Sequence, residues 1–357
     1  MKKTDKFSFQ RIPAPLLSWY RENKRQLPWR QNPTAYAVWV SEIMLQQTRV
    51  EAVKEYYTRF MSVLPNVADL AACEEEKLLK LWEGLGYYSR VRNMQKAAKL
   101  VLSYYGGELP TSFEELKSLP GIGSYTAGAI SSIAYGQRVA AVDGNVFRVA
   151  ARLEENPTRI SDPAYRKYLE TQLSAVYPQS PKDCSDFTQS LFELGALVCK
   201  PQSPDCKNCP LNGLCRAYQN GTQEQYPVMP PKKEKRQENV YFFLIQTPQG
   251  FCIRRRDEGV LKGMNEFPSH VIENDETPEN VLNEWGMYEF TEINRRKYRH
   301  IFTHIRWDIL CVWIKTEHAP FDAYTIDEIA ERVSLPTAFR QCLSMLEGEI
   351  EQLKFDI

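Results

Sequence analysis

Apolar positions recur at helical spacing through the first two thirds of the chain. Residues 36–61 are compatible with almost unbroken helix, with Pro33-Thr34 before the stretch and Pro65 after it. The same spacing predicts helices over 74–81, 91–105, 113–119, 125–135, 145–153, 164–176 and 186–198. Gly106-Gly107, Pro120-Gly121 and Asp143-Gly144 punctuate them, as short turns between packed helices do. An all-α domain is expected over 1–222. From Gly221 the pattern changes. Pro227, Pro230 and Pro231, followed by Lys232, Lys233, Lys235 and Arg236, read as an extended charged linker, placed at 223–238. Strand signals at 240–246 and 251–255 flank Thr247-Pro248-Gln249-Gly250, a hairpin signature. Another strand is predicted at 309–315, and helices at 326–332 and 338–347. Residues 239–357 are therefore expected to form an α+β domain.

A length of 357 residues supports two domains, and a hydrophobic share of 43% is that of an ordinary globular protein. No apolar run approaches the ~20 residues of a membrane helix, and the polar segment 1–11 has no signal-peptide core. A cytoplasmic monomer with no membrane contact is expected. The 45 basic and 45 acidic residues balance, so a nucleic-acid surface would need its cations gathered on one face.

The cysteines change this picture. Four of the nine fall at Cys199-x6-Cys206-x2-Cys209-x5-Cys215. The segment also carries Pro201, Pro204, Pro210 and Gly213, so it has no core of its own and needs a metal centre to order it. The spacing alone suits structural zinc or a [4Fe–4S] cluster about equally.

Two carboxylates stand out. Glu42 lies in Val38-Trp39-Val40-Ser41-Glu42-Ile43-Met44-Leu45, and its neighbours one helical turn away are Val38, Trp39, Leu45 and Gln46. A solvated helix face would carry other charges. A carboxyl in dry surroundings has a raised pKa and can act as an acid near neutrality. Asp143 follows the apolar run 139–142 and caps the helix predicted from Asn145. One dry and one hydrogen-bonded carboxylate suit cleavage of a glycosidic bond. Gly121 and Gly123, in Leu119-Pro120-Gly121-Ile122-Gly123 before the small-residue helix Tyr125-Thr126-Ala127-Gly128, form a turn whose N–H groups could receive a phosphate. A plain tight turn is the bland alternative.

These segments, with Leu27-Pro28-Trp29-Arg30, Leu45-Gln46-Gln47-Thr48 and Trp82-Glu83-Gly84-Leu85-Gly86-Tyr87-Tyr88-Ser89-Arg90, occur together and in order. Through them nearly all of the N-terminal domain resembles the endonuclease III superfamily of DNA glycosylases, in particular its adenine glycosylase (MutY) branch. The resemblance implies a helix-hairpin-helix domain with a [4Fe–4S] cluster on Cys199, Cys206, Cys209 and Cys215. It implies excision of adenine opposite 8-oxoguanine or guanine in double-stranded DNA, with the adenine flipped into a cleft. Glu42 would protonate the base and Asp143 would stabilise the sugar cation, beside Tyr125 and Asn145. Trp29, Arg30, Leu45 and Gln189 would line the adenine pocket, while Gln47 and Tyr88 would enter the base stack. Bifunctional relatives carry a Schiff-base Lys two residues after the second hairpin glycine. Tyr125 stands there, so base excision without an efficient strand-cutting step is expected.

The C-terminal domain resembles the Nudix hydrolase MutT. Its helix region, residues 278–286, has only Glu279 and Glu284 in place of the metal-binding acidic box, so a reader of oxidised guanine is expected rather than a hydrolase. Phe302-Thr303-His304 stands where the family has a Phe-Ser-His probing loop. Asn265-Glu266-Phe267-Pro268-Ser269-His270 departs from the usual Trp-Glu-Phe-Pro-Gly-Gly. The competing readings are a bifunctional pyrimidine glycosylase and a non-catalytic DNA-binding module.

Overall fold

In a computed structural model, residues 7–231, 234–273 and 275–346 are described. Segments 1–6 and 347–357, with Lys232, Lys233 and Asn274, lie outside them, and so do those parts of the expected linker and last helix. Contacts divide the chain into two compact units, Met1–Cys73 with Ser89–Pro231 and Glu74–Tyr88 with Lys232–Ile357.

The first unit is helical: α1 (Pro13–Asn23), α2 (Pro28–Gln31), α3 (Ala35–Leu45), α4 (Val50–Val63) and α5 (Val67–Ala72), then α7 (Ser89–Tyr105), α8 (Phe113–Ser118), α9 (Ser124–Ala129), α10 (Gly144–Glu154), α11 (Pro163–Ala175), α12 (Pro181–Glu193) and α13 (Arg216–Gln219). The short helix α6 (Glu75–Leu81) groups with the second unit. The expected unbroken helix over 36–61 is interrupted. The chain leaves α3 at Gln46, and Gln47 takes a left-handed φ of 60°. The Arg90 Nη1 donates to the carbonyls of Ile43 and Gln46, each at 2.7 Å, so the free C-terminal carbonyls of α3 find a cation instead of a further turn. The stretches predicted at 125–135 and 186–198 each end in a π-helical turn, Ile130–Ala134 and Leu194–Val198. Phe147, Phe187, Leu169 and Leu191 form the core on which α10, α11 and α12 pack.

In the second unit the sheet runs β3 (Asn265–Glu266), β2 (Gly250–Arg255), β1 (Arg236–Thr247), β6 (Ile305–Lys315), β5 (Thr291–Ile301), with β4 (Ser269–Val271) on β1 and β7 (Asp322–Tyr324) on β2. The predicted hairpin closes at Thr247 opposite Gly250. The strand begins at Arg236, inside the segment expected to be linker, because it pairs in parallel with β6 from Ile305 onward. Val240, Phe242 and Leu244 face one core and Tyr241, Phe243 and Ile245 the other, which is the continuous apolar run of a strand covered on both sides. The helices α14 (Pro278–Glu284), α15 (Ile326–Glu331) and α16 (Thr337–Arg340) complete the described part, and the last continues as a 3-10 turn over Gln341–Leu346 instead of one long helix.

Candidate active site

Glu42 sits on α3, whose residues Tyr36 to Met44 are all buried. The residue is 5% exposed and opens into a cavity of about 240 Å³. Eight residues singled out in the sequence line that cavity: Trp29, Arg30, Glu42, Leu45, Tyr125, Asp143, Asn145 and Gln189. The Tyr125 hydroxyl, delivered by α9, donates a hydrogen bond to Glu42 Oε2. Burial pushes the Glu42 carboxyl up to about 7, Asp143 adds to the rise, and the Tyr125 hydrogen bond and the charge of Arg30 oppose it. Burial also raises the Tyr125 hydroxyl well above its ordinary range, so this phenol remains a donor at any physiological pH.

Asp143 caps α10, its Oδ1 accepting the Val146 N–H at 2.7 Å and its Oδ2 the Asn145 amide at 2.7 Å. Burial raises its pKa as well, opposed by those hydrogen bonds and by the charge of Arg148. The two carboxylates thus differ in kind: Glu42 is buried with one donor, Asp143 has several donors aimed at its ionised form. Asn145 is itself held, since Arg148 Nη2 donates to its Oδ1 at 2.8 Å.

Arg148 and Arg152 escaped the sequence reading, although two cations one turn apart in the apolar run of α10 are a signal of the kind that marked Glu42. Arg148 also donates to the carbonyls of Cys199 at 2.8 Å and Gly195 at 2.9 Å. Arg152 donates to the Cys199 Sγ at 3.3 Å and to the carbonyls of Lys200, Pro201, Gln223 and Tyr226. Hydrogen bonds therefore run from the cysteine segment through Arg148 and Asn145 to Asp143. Cys199, Cys206, Cys209 and Cys215 line one small shared hollow with Arg152. Four sulfur donors converging there fit a soft metal centre, while among the described residues no compact His, Cys, Asp or Glu group for a single ion is found.

Glu193, Arg25 and Phe192 line the pocket without having been foreseen. Glu193 is fully buried at the end of α12 and pairs with Arg25 at 2.6 Å and Arg30 at 2.8 Å. These guanidiniums hold its pKa below the ordinary value despite burial.

The other predicted residues are not among those lining this cavity. Gly121, with φ of 78°, and Gly123 are exposed on either side of the buried Ile122, between α8 and α9. Gln47 is exposed. Tyr88 is 5% exposed and packed inside. Its neighbour Tyr87, 46% exposed with φ of 48°, carries the accessible ring. The Gly86-Tyr87-Tyr88 order hid which of the two adjacent aromatics turns outward.

In the second unit, Phe302, Thr303 and His304 form the tip between β5 and β6, closed by the Phe302 N–H to the Ile305 carbonyl at 2.8 Å. Phe302 packs edge-on against His300 and Trp307, while Thr303 and His304 are exposed. The Thr303 hydroxyl shares a hydrogen bond of 2.5 Å with the Tyr87 hydroxyl. On α14, Glu279 pairs with Arg295 at 2.9 Å and Glu284 is exposed. Glu266 is buried between Arg254 and Arg256. No helix among the described residues is long and apolar enough to cross a membrane.

Comparison with known proteins agrees with this geometry. A family model described as HhH-GPD superfamily base excision DNA repair protein matches residues 40–175, and one described as NUDIX domain matches 240–345. The adenine DNA glycosylase of Mus musculus is 36% identical, covering 85% of this chain and 70% of its own length. That of Buchnera aphidicola (subspecies Baizongia pistaciae) is 33% identical over 84% of each chain. The Homo sapiens protein is 38% identical over 71% of this chain, which spans only 56% of it. Among solved structures, a thermostable thymine-DNA glycosylase superposes with a TM-score of 0.53 at 27% identity, over 58% of this chain and 95% of that one. Endonuclease III in a non-covalent DNA complex gives 0.50 at 27% identity, over 59% and 95%. With the acid, its phenol donor and the second carboxylate gathered in one cavity, this chain is a DNA glycosylase and belongs to the adenine DNA glycosylase family.

Proposed function

We propose that this chain binds duplex DNA and excises adenine mispaired with 8-oxoguanine or guanine, without an efficient strand-cutting step. The observation that carries the reading is Glu42: a carboxyl that keeps its proton near neutral pH, in one pocket with Asp143, Tyr125 and Asn145. The Tyr125 hydroxyl occupies Oε2 and leaves Oε1 to present the acid proton. Glu42 gives that proton to N7 of the extruded adenine. The C1′–N9 bond then breaks with its electron pair passing to the base. Asp143, whose donors favour its ionised form, stabilises the cation left on the sugar until water adds to C1′. Trp29, Arg30, Leu45 and Gln189 surround the base. Tyr125 occupies the position where a lyase needs an amine, and a phenol forms no Schiff base. The turn at Gly121 and Gly123 is suited to a backbone phosphate, and Gln47 with Tyr87 to the bases beside the lesion. The exposed Thr303 and His304 are suited to reading 8-oxoguanine.

The four-cysteine segment is proposed to hold a [4Fe–4S] cluster, supported by its all-sulfur donor set around one hollow. The cluster would supply the order that this proline-rich segment lacks. Arg148 and Arg152 tie the segment to α10.

The test is a duplex with adenine opposite 8-oxoguanine, assayed with and without hot alkali, together with a visible spectrum. Alkali-dependent breaks at the adenine strand and an iron–sulfur chromophore are expected. Breaks without alkali would favour a bifunctional glycosylase, and no excision by the intact protein would favour a binding module.

A further inference from the structure

We propose that Glu193 is a positioning residue for this reaction: it holds Arg25 and Arg30 along one wall of the pocket and keeps the Arg30 guanidinium from pairing with Glu42. The inference rests on the reading of Glu42 as the acid.

Both Glu193 oxygens are engaged. Arg25 donates from Nε to Oε2 at 2.9 Å and from Nη2 to Oε1 at 2.6 Å, and Arg30 donates from Nη2 to Oε1 at 2.8 Å. Arg30 Nη1 donates to the Arg25 carbonyl at 3.2 Å, and its guanidinium lies 5.9 Å from the Tyr20 ring centre. Arg30 is thus restrained from three directions, none of them Glu42. Its charge nevertheless reaches Glu42, where it favours ionisation.

The charged and titratable groups around Glu42 come from several elements: Arg30 from α2, Tyr125 from α9, Asp143 at the start of α10 and Glu193 on α12, with Arg25 before α2 and Arg49 after α3 also lining the cavity. Two guanidiniums on one carboxylate leave a single net positive charge on that wall. Without Glu193 the wall would carry two. Arg30 would keep the Arg25 carbonyl and the Tyr20 ring, and the carboxylates left in the pocket to attract its charge would be Glu42 and Asp143. Around a carboxyl as buried as Glu42 such a charge is screened poorly, and an acid that loses its proton below the working pH no longer protonates a leaving group. If Glu193 served only to tie residues 25–30 to α12, its loss would lower activity at every pH alike.

The experiment measures single-turnover adenine release from an adenine:8-oxoguanine duplex across the pH range, using the full chain. In Glu193→Gln, which keeps shape and removes charge, the alkaline limb is expected to move down by about one pH unit. The rate well above neutrality then falls about tenfold, while the rate on the acid side stays within a few-fold of the parent. Adding Arg30→Met to Glu193→Gln is expected to restore the limb. An unmoved limb with uniform loss, or a double variant that fails to restore it, overturns the proposal. Should Glu193→Gln not fold, Arg30→Met alone is read: its limb is expected to move to higher pH, and an unmoved limb is again fatal. Glu42→Gln separates the two levels. Full activity in that variant defeats the acid assignment itself, whereas an inactive Glu42→Gln beside an unmoved Glu193→Gln limb defeats only the role of Glu193.

Discussion

Replacing Glu42 with Gln is expected to stabilise the protein above neutral pH while it abolishes excision. Burial lifts the Glu42 carboxyl from the ordinary 4.5 to about 7. Because the folded pKa lies above the unfolded one, the native state holds a proton between these values that the unfolded chain has released. Stability therefore falls as pH rises from about 4.5 to about 7 and stays low beyond. At about 1.36 kcal/mol per pH unit, the loss attributable to this one side chain is about 3 kcal/mol, a large share of an ordinary domain's stability. Gln keeps the shape and still accepts the Tyr125 hydroxyl, yet has no charge to bury. Urea unfolding of both proteins near pH 5 and near pH 8.5 reads the effect. The variant should match the parent within about 1 kcal/mol at the lower pH and exceed it by about 3 kcal/mol at the higher. Parallel stability curves would refute the claim that Glu42 is a dry acid, and with it the enzymatic use made of that claim.

The same reasoning fixes other outcomes. In Tyr125→Phe the ionised form of Glu42 loses a donor, so the alkaline limb of the excision profile should rise by about one pH unit, in line with a hydrogen bond to a charged group; a limb that falls would contradict the assigned direction. In Gly128→Ala the new Cβ would meet the Ala140 carbonyl oxygen at 2.5 Å and the Ala141 Cα at 3.2 Å. Overpacking of that kind should destabilise by about 1–3 kcal/mol, read as a lower Tm. In Cys206→Ser the purified protein should lose its visible chromophore and become protease-sensitive within 199–215, checked by absorption and limited proteolysis.

The helical domain was legible because its apolar residues repeat at helical spacing, and the hairpin at 247–250 because its turn residues are few and distinctive. Glu42 was legible as a charge without charged neighbours. The edge strand β5 was not foreseen. Its sequence Arg295-Arg296-Lys297-Tyr298-Arg299 is almost wholly exposed, and pairing with β6 rather than burial makes it a strand. The break after α3 was hidden for a related reason: the group that ends the helix, Arg90, lies 44 residues beyond its Gln46 partner. Glu193 shows the signal of Glu42, an acid among Leu191, Phe192 and Leu194, but its two arginine partners lie more than 160 residues earlier. Local pattern finds an isolated charge; only the folded chain shows what neutralises it.

Arg152 reaches four main-chain carbonyls and one sulfur through three nitrogens. A lysine brings one nitrogen on a flexible stem and cannot span receptors distributed from Lys200 to Tyr226. An exchange that preserves charge would thus leave several of these part-buried oxygens without their donor. At this position, mutational tolerance is governed by the planar fork of the side chain, and the usual chemical ranking of amino-acid similarity loses its meaning.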